Sequence, residues 1–128
     1  MARGGNARTD RRKAARSYGI VAEAIALMWL LARGYRILAR HYLAPGGEID
    51  IVAAKGATVA FIEVKARGDL DVAATSITAQ KQARICRAAG FWLSRNQAAA
   101  SANLRCDAIF IAPWRWPRHE IAAFPLEI

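Results

Sequence analysis

The sequence predicts an α/β domain in which a mixed β-sheet of about five strands is flanked by helices. Two observations lead to this fold class. The patterns along the chain run helix, three strands, helix, strand, strand, and a crossover helix is what a mixed sheet needs. With 128 residues, of which 55% are hydrophobic, the chain fits one domain around a single core.

The first predicted helix covers residues 14–33, and Gly34 fits a helix C-cap. Its apolar row of Ile20, Leu27 and Leu31 also contains Glu23, which lies one helical turn from two of them. A carboxylate in that row is expected to be buried beside a polar partner. The alternative is that Glu23 lies at the edge of the row and reaches solvent.

Three strands should follow. Residues 35–43 read as the first, and residues 48–54 and 58–66 as an antiparallel hairpin around Gly56. Alternation along a strand puts Glu63 and Lys65 on one face. Asp50 lies near the start of the partner strand, so hairpin pairing is expected to bring the two carboxylates together.

Two carboxylates in an apolar hairpin repel each other, and burial adds to the cost unless a cation lies between them. Mg²⁺ or Mn²⁺ suits Asp50 and Glu63, because these ions prefer oxygen ligands. Lys65 would then orient the attacking water or offset charge on a phosphate. Alternatively, Glu63 and Lys65 form a surface ion pair of little energetic value.

A second helix is predicted over residues 75–96, with Ile77, Ile85, Ala88 and Trp92 on its inner side. Periodicity puts Lys81 in this inner row, where it either reaches the site or extends its amine to solvent. Gln80 faces about 100° away, so only one of the two is expected in the site.

The last two strands are predicted over residues 105–112 and 121–124. The loop between them interleaves aromatic and basic residues, including Trp114 and Arg115, as surfaces that stack on bases do. The alternative is a hairpin tip whose tryptophans fold back on the core. His119 lacks a second ligand at metal-binding spacing.

Charge is concentrated at the start of the chain. Residues 1–17 carry +5 of the net +9, and residues 18–128 form the predicted domain. Residues 1–17 are expected to form a flexible tail, and four of its basic residues are expected to contact phosphates: Arg11, Arg12, Lys13 and Arg16. A purely solubilising tail is the alternative.

A secretory signal does not fit the sequence. Glu23 interrupts the apolar run that follows the basic residues, and the run is too short to span a membrane. Cys86 and Cys106 lack metal spacing and read as buried free thiols of a cytoplasmic protein. We therefore expect a cytoplasmic location and no membrane partner.

The strings GEIDIVA and FIEVKAR, with a Glu on the preceding helix, resemble the YraN-like family of the PD-(D/E)XK nuclease superfamily. The resemblance covers residues 19–124 and implies a restriction-endonuclease-like core. It implies metal ligands at Asp50 and Glu63, a catalytic lysine at Lys65 and an accessory carboxylate at Glu23. It also implies a residue on the following helix, which Gln80 or Lys81 matches here. The chain departs from the family pattern at Ala22 and His41.

The leading hypothesis is a Mg²⁺- or Mn²⁺-dependent nuclease that acts on DNA in preference to RNA. The backbone carbonyl of Val64 would add a metal ligand, and Arg67 would contact nucleic acid. The alternative is a nucleic-acid-binding module of the same fold without catalysis. A homodimer would suit cleavage of both strands, which often needs two active sites.

Overall fold

The computed structural model describes residues 6–66 and 77–128, with side chains from Tyr18 onward. Two helices, five strands and a short 3₁₀ helix occur in these segments. In chain order they are α1 (Asn6–Ala32), β1 (Arg36–Ala44), β2 (Gly47–Lys55), β3 (Thr58–Ala66), α2 (Ala79–Arg95), the 3₁₀ helix (Gln97–Ser101), β4 (Asn103–Ile111) and β5 (Arg118–Phe124). The predicted α/β class is confirmed.

The five strands form one mixed sheet in the order β1-β2-β3-β4-β5. Neighbours pair antiparallel except β3 and β4, which run parallel with Lys65 beside Phe110. The parallel pair exists because α2 carries the chain back to the starting end of the sheet. Strand β3 is therefore paired on both sides, and its carboxyl end, with Glu63 and Lys65, lies at one end of the sheet.

Helix α1 covers one face of the sheet, but with a different row from the predicted one. Its buried residues are Ala22, Ala26 and Leu30, whereas Ile20 is 65% and Leu31 57% exposed. The prediction of the row was wrong because it followed the largest apolar side chains. Alanines let the helix backbone approach the sheet closely, and α1 also begins at Asn6 rather than at residue 14.

Helix α2 covers the opposite face with the predicted residues Ile85, Ala88 and Trp92. The Thr78 side chain caps it by accepting a hydrogen bond from the Lys81 N–H. The helix packs very closely against the start of β2 at Gly47. A Cβ added to this glycine would be 1.9 Å from the Arg84 carbonyl oxygen, so only glycine fits there. The first half of α2 therefore lies beside the start of β2, where Lys81 contacts Glu48.

The loop between β4 and β5 does not fold its tryptophans into the core. Trp114 is fully exposed with a left-handed φ of 62°, and Trp116 is 82% exposed although its ring lies 6.3 Å from that of Trp29. The fold-back alternative is therefore wrong. Cys86 and Cys106 are free and buried, as predicted. None of the helices in the described segments is long and apolar enough to cross a membrane.

Candidate metal site

The hairpin register brings the predicted carboxylates together. Ile51 pairs with Ile62, so one residue further along each strand Asp50 lies across from Glu63. The backbone N–H of Val64 donates a hydrogen bond of 2.8 Å to Asp50 Oδ2. The side chain of Asp50 is thus held by the neighbouring strand at the point where the β2–β3 ladder ends.

Helix α1 and the edge strand β1 add two side chains beside Asp50. Glu23 is 7% exposed, and His41 Nε2 lies 2.7 Å from Glu23 Oε1. Potential ligand atoms of Glu23, His41 and Asp50 all lie within 4.8 Å of one another. Arg40 Nη2 is 3.9 Å from the same Glu23 oxygen at the rim.

These three residues open into a cavity of about 240 Å³ between α1 and the sheet. Its lining is Gly19, Ile20, Ala22, Glu23, His41, Asp50, Val64 and Ala66. The cavity is large enough for an ion with several waters, which occupy about 30 Å³ each in the liquid. It therefore offers oxygen and nitrogen ligands beside space open to solvent.

Glu63 faces the other side of the sheet, toward α2. It is 4% exposed, and its Oε2 lies 3.3 Å from Lys81 Nζ, which is also 3.6 Å from Glu48 Oε1. Neither this Glu63 oxygen nor Glu23 Oε1 has a hydrogen-bond partner within the described residues. Both oxygens are instead contacted by basic side chains, Glu63 Oε2 by Lys81 and Glu23 Oε1 by His41 and Arg40, without an aligned hydrogen bond.

The pKa values of both glutamates are raised above the ordinary carboxyl value. Burial is the main cause for Glu63, and together with contact with the Asp50 carboxyl group it raises the Glu63 pKa to about 8 despite Lys81 and Lys65. Burial also raises the pKa of Glu23, while the charge of His41 opposes the rise. A divalent cation beside them would lower both pKa values.

The remaining predicted residues are distributed around this cluster. Lys65 is half-buried, and it forms no salt bridge in the part of the chain described. Gln80 is exposed, whereas Lys81 points inward, so only Lys81 reaches the cluster. Val64 lines the cavity and contacts Asp50 through its N–H. Arg67 lies outside the described residues.

The predicted nucleic-acid contacts lie on two segments. Arg11, Arg12, Lys13 and Arg16 belong to the first half of α1, and their side chains lie outside the described set. Trp114 and Arg115 are exposed in the β4–β5 loop. The basic half of α1 precedes Gly19, which lines the cavity, so its backbone leads directly to the candidate site.

Sequence reasoning missed two residues of the site, His41 and Glu48. His41 was noted only as a departure from a family pattern, yet it lies across from Asp50, between the pairs Arg40–Ile51 and Tyr42–Ile49. Its φ of 47° is rare for a residue with a side chain. The polar pair Arg40-His41 within an apolar strand was the available signal.

Comparison with known proteins agrees with the motif. A model of the Uncharacterised protein family UPF0102 matches residues 22–111, which include Glu23, His41, Asp50 and Glu63. The chain belongs to this family. UPF0102 is the YraN family, so the resemblance to that family is confirmed.

Other UPF0102 proteins are similar over almost their whole length. One from Methylorubrum extorquens (strain PA1) is 55% identical over 91% of each chain. One from Methylocella silvestris is 52% identical over 92% of this chain and 95% of its own. One from Rhodopseudomonas palustris (strain ATCC BAA-98 / CGA009) is 50% identical over 92% and 96%.

Proposed function

We propose that this UPF0102 protein is a Mg²⁺- or Mn²⁺-dependent nuclease that hydrolyses phosphodiester bonds in DNA. The observation that carries the proposal is the convergence of Glu23, Asp50 and Glu63 at one end of the sheet, with two of these side chains buried and incompletely hydrogen-bonded. Carboxylates this close together repel one another, and a divalent cation would offset that repulsion in addition to the contacts with Lys81 and His41. The resemblance to PD-(D/E)XK nucleases gives the same assignment.

The residues fit a divalent ion. Asp50 is central. Its carboxyl group contacts Glu63 on one side, and on the other side it lies within 4.8 Å of potential ligand atoms of Glu23 and His41. Asp50 with Glu63 or Glu23 would hold the ion. The backbone carbonyl of Val64, the residue that follows Glu63, would be a further ligand. When bound, the ion would supply Lewis-acid activation of water and of the scissile phosphate.

The two lysines take different parts in the proposal. Lys81 contacts Glu63 and Glu48, so it positions the Glu63 carboxylate and limits its repulsion from Asp50. Lys65 forms no salt bridge in the described segments, although its charge also lowers the Glu63 pKa, and it is half-buried on the same strand. Lys65 is therefore the better candidate to contact the attacking water or the phosphate, in agreement with the predicted role.

DNA is the proposed substrate because the basic first half of α1 lies next to the cavity. The first half of α1 is rich in arginine and lysine, and Arg16 precedes the cavity-lining Gly19 by three residues. At a rise of about 1.5 Å per residue, these basic positions extend from the mouth of the cavity. Arginine and lysine in this place would bind the phosphate backbone without reading its sequence.

Cleavage of plasmid and single-stranded DNA with Mg²⁺ or Mn²⁺ tests the proposal. Asp50→Asn, Glu63→Gln and Lys65→Met should each reduce the rate by at least about a hundredfold, the usual effect of losing a catalytic acid, base or ligand. Glu120→Gln and Lys55→Gln, at exposed or half-exposed positions away from the cluster, are the matched controls. Cleavage that Glu63→Gln leaves unchanged would refute the proposal.

A second candidate function is nucleic-acid binding without catalysis. The exposed Trp114 and Trp116, beside Arg115, favour it because exposed rings can stack on unpaired bases. In that case deletion of residues 1–16 should reduce the slope of log K against log salt concentration by about 0.7–0.9 per lost phosphate contact. A slope that the deletion leaves unchanged would argue against phosphate binding by residues 1–16 and against this function.

A further inference from the structure

The imidazole of His41, on strand β1, lies beside the Glu23 carboxylate. His41 is in β1 at the edge of the sheet, and its φ of 47° interrupts the regular strand conformation. Its ring nitrogen Nε2 is 2.7 Å from Glu23 Oε1, although the side chain as a whole is 65% exposed. The imidazole therefore stands at the mouth of the cavity, with one nitrogen turned toward a buried carboxylate.

The distances suit a shared ion. Ligand atoms of Glu23, His41 and Asp50 lie within 4.8 Å of one another. Ligands of one Zn²⁺ ion lie about 2.0–2.2 Å from the metal, so their mutual separations reach about 4 Å. Only small movements of side chains would bring the three groups to one ion, and the His41 side chain is exposed enough to make them.

The Glu23 carboxylate is the most buried member of this group. It is 7% exposed, and its Oε1 is approached by His41 Nε2 at 2.7 Å and by Arg40 Nη2 at 3.9 Å. Because Glu23, His41 and Asp50 all line the same cavity, an ion that enters it would meet the carboxylates and the imidazole together.

We propose that His41 is a direct ligand of the bound cation, and that its nitrogen makes the site prefer a transition-metal ion, Zn²⁺ above Mn²⁺, over Mg²⁺. This rests on the metal site of the proposed function and specifies which ion it selects. Carboxylates alone serve Mg²⁺ well, whereas imidazole favours later transition metals. Affinity for such ions also follows the order Mn²⁺ below Zn²⁺ at a given set of ligands.

Metal titration of the wild-type chain and His41→Asn tests this. Asparagine tolerates a left-handed φ, so the variant should keep the backbone of β1. Loss of groups that only support ligands costs about 10–100-fold in metal affinity, so loss of a ligand should weaken Zn²⁺ binding at least about tenfold. Mg²⁺ affinity should change much less, because an amide oxygen remains available to it.

Two controls separate ligation from other effects. Arg40→Gln removes a cation 3.9 Å from Glu23, so it should strengthen Zn²⁺ and Mg²⁺ binding alike. Asp50→Asn should abolish Zn²⁺ binding, whereas capture of Zn²⁺ by Cys86 or Cys106 would survive it. The spectrum of bound Co²⁺ supplies a direct readout, because loss of a nitrogen ligand changes its absorption bands.

Equal affinity of wild type and His41→Asn for Zn²⁺ would overturn the inference, as would an equal loss of Zn²⁺ and Mg²⁺ affinity. The outcome is separable from that of the proposed nuclease activity. A chain that binds Zn²⁺ through His41 but never cleaves DNA would refute the activity alone. A chain whose cleavage requires Glu63 but whose metal preference ignores His41 would refute only this inference.

Discussion

Two groups of buried carboxylates in this molecule have opposite electrostatic surroundings. Asp107 on β4 is fully buried, and it accepts hydrogen bonds from Arg105 at 2.9 Å and from the Ala122 N–H at 3.0 Å, with His119 Nε2 at 2.8 Å. Glu23 and Glu63 are also buried, yet each has an oxygen without a hydrogen bond in the described chain. Asp107 is thus held by several aligned hydrogen bonds, whereas these oxygens of Glu23 and Glu63 have only ion-pair contacts with basic side chains such as His41 and Lys81.

The pKa values express the same contrast. Burial by itself would raise the pKa of Asp107, but hydrogen bonds from His119, Arg105 and Ala122 hold it below the ordinary value. At Glu63 burial acts in the same direction and is reinforced by Asp50, so the pKa rises to about 8. Burial alone therefore does not set the direction of a carboxyl pKa, because the hydrogen bonds and charges around the group decide it.

The largest expected effect is at the satisfied carboxylate. Asp107→Asn removes the charge that Arg105 and His119 share, and breaking such a buried pair costs about 3–5 kcal/mol. We expect the free energy of unfolding in urea to fall by about that amount. Glu120→Gln, which removes an exposed ion pair with Arg118, is the control and should cost less than about 1 kcal/mol. Equal effects of the two variants would remove the distinction drawn for Asp107.

The next effect is a pH dependence of stability that originates at Glu63. Between the ordinary carboxyl value of 4.5 and about 8, the unfolded chain has lost a proton that the folded chain still holds. The free energy of unfolding should therefore fall as pH rises through this window, by on the order of a few kcal/mol. For Asp107, whose pKa is lowered, the contribution instead disappears as pH falls through its folded value.

Glu63→Gln is the variant for this pH dependence. It should flatten the fall in stability between about pH 5 and pH 8 and make the chain more stable than wild type at the upper end. Urea unfolding at several pH values measures both effects. A wild-type stability that rises with pH across this range, or an unchanged slope in the variant, would contradict the assigned protonation of Glu63.

A smaller effect is expected at Lys81, which lowers the Glu63 pKa. Lys81→Gln should raise that pKa further and extend the loss of stability to higher pH. It should also strengthen metal binding once the pH exceeds the raised Glu63 pKa, since a competing cation 3.3 Å from Glu63 is removed. Gln80→Ala is the matched control, because Gln80 is exposed one position away. The same response in both variants would exclude a specific role for Lys81.

The sequence predicted the sheet, its flanking helices and the Asp50–Glu63 pair because these depend on local patterns. Alternation fixed the faces of β3, and a short turn fixed the hairpin register that aligns Asp50 with Glu63. The inner row of α2, including Lys81, followed from helical periodicity. For these elements, short-range rules and the final packing agree.

The parts that could not be predicted depend on how distant segments approach each other. The buried row of α1 consists mainly of alanines, whose hydrophobicity gives a weak periodic signal, so its orientation is set by contact with the sheet. His41 reaches Glu23 only through a left-handed residue in β1. The network of Tyr35, Arg105, Asp107 and His119 joins residues up to 84 positions apart in the chain, and no local pattern encodes it.

The central claim is that the carboxylates of Glu23, Asp50 and Glu63 form a cation site, and calorimetric titration with Mn²⁺ at pH 7 tests it most directly. Wild type should bind Mn²⁺ and release protons, detected as a heat that depends on the buffer, because binding requires the ionised carboxylates. Asp50→Asn, which can still accept the hydrogen bond from Val64, should lose this binding. Absence of Mn²⁺ binding in wild type, or equal binding by Asp50→Asn, would contradict the account.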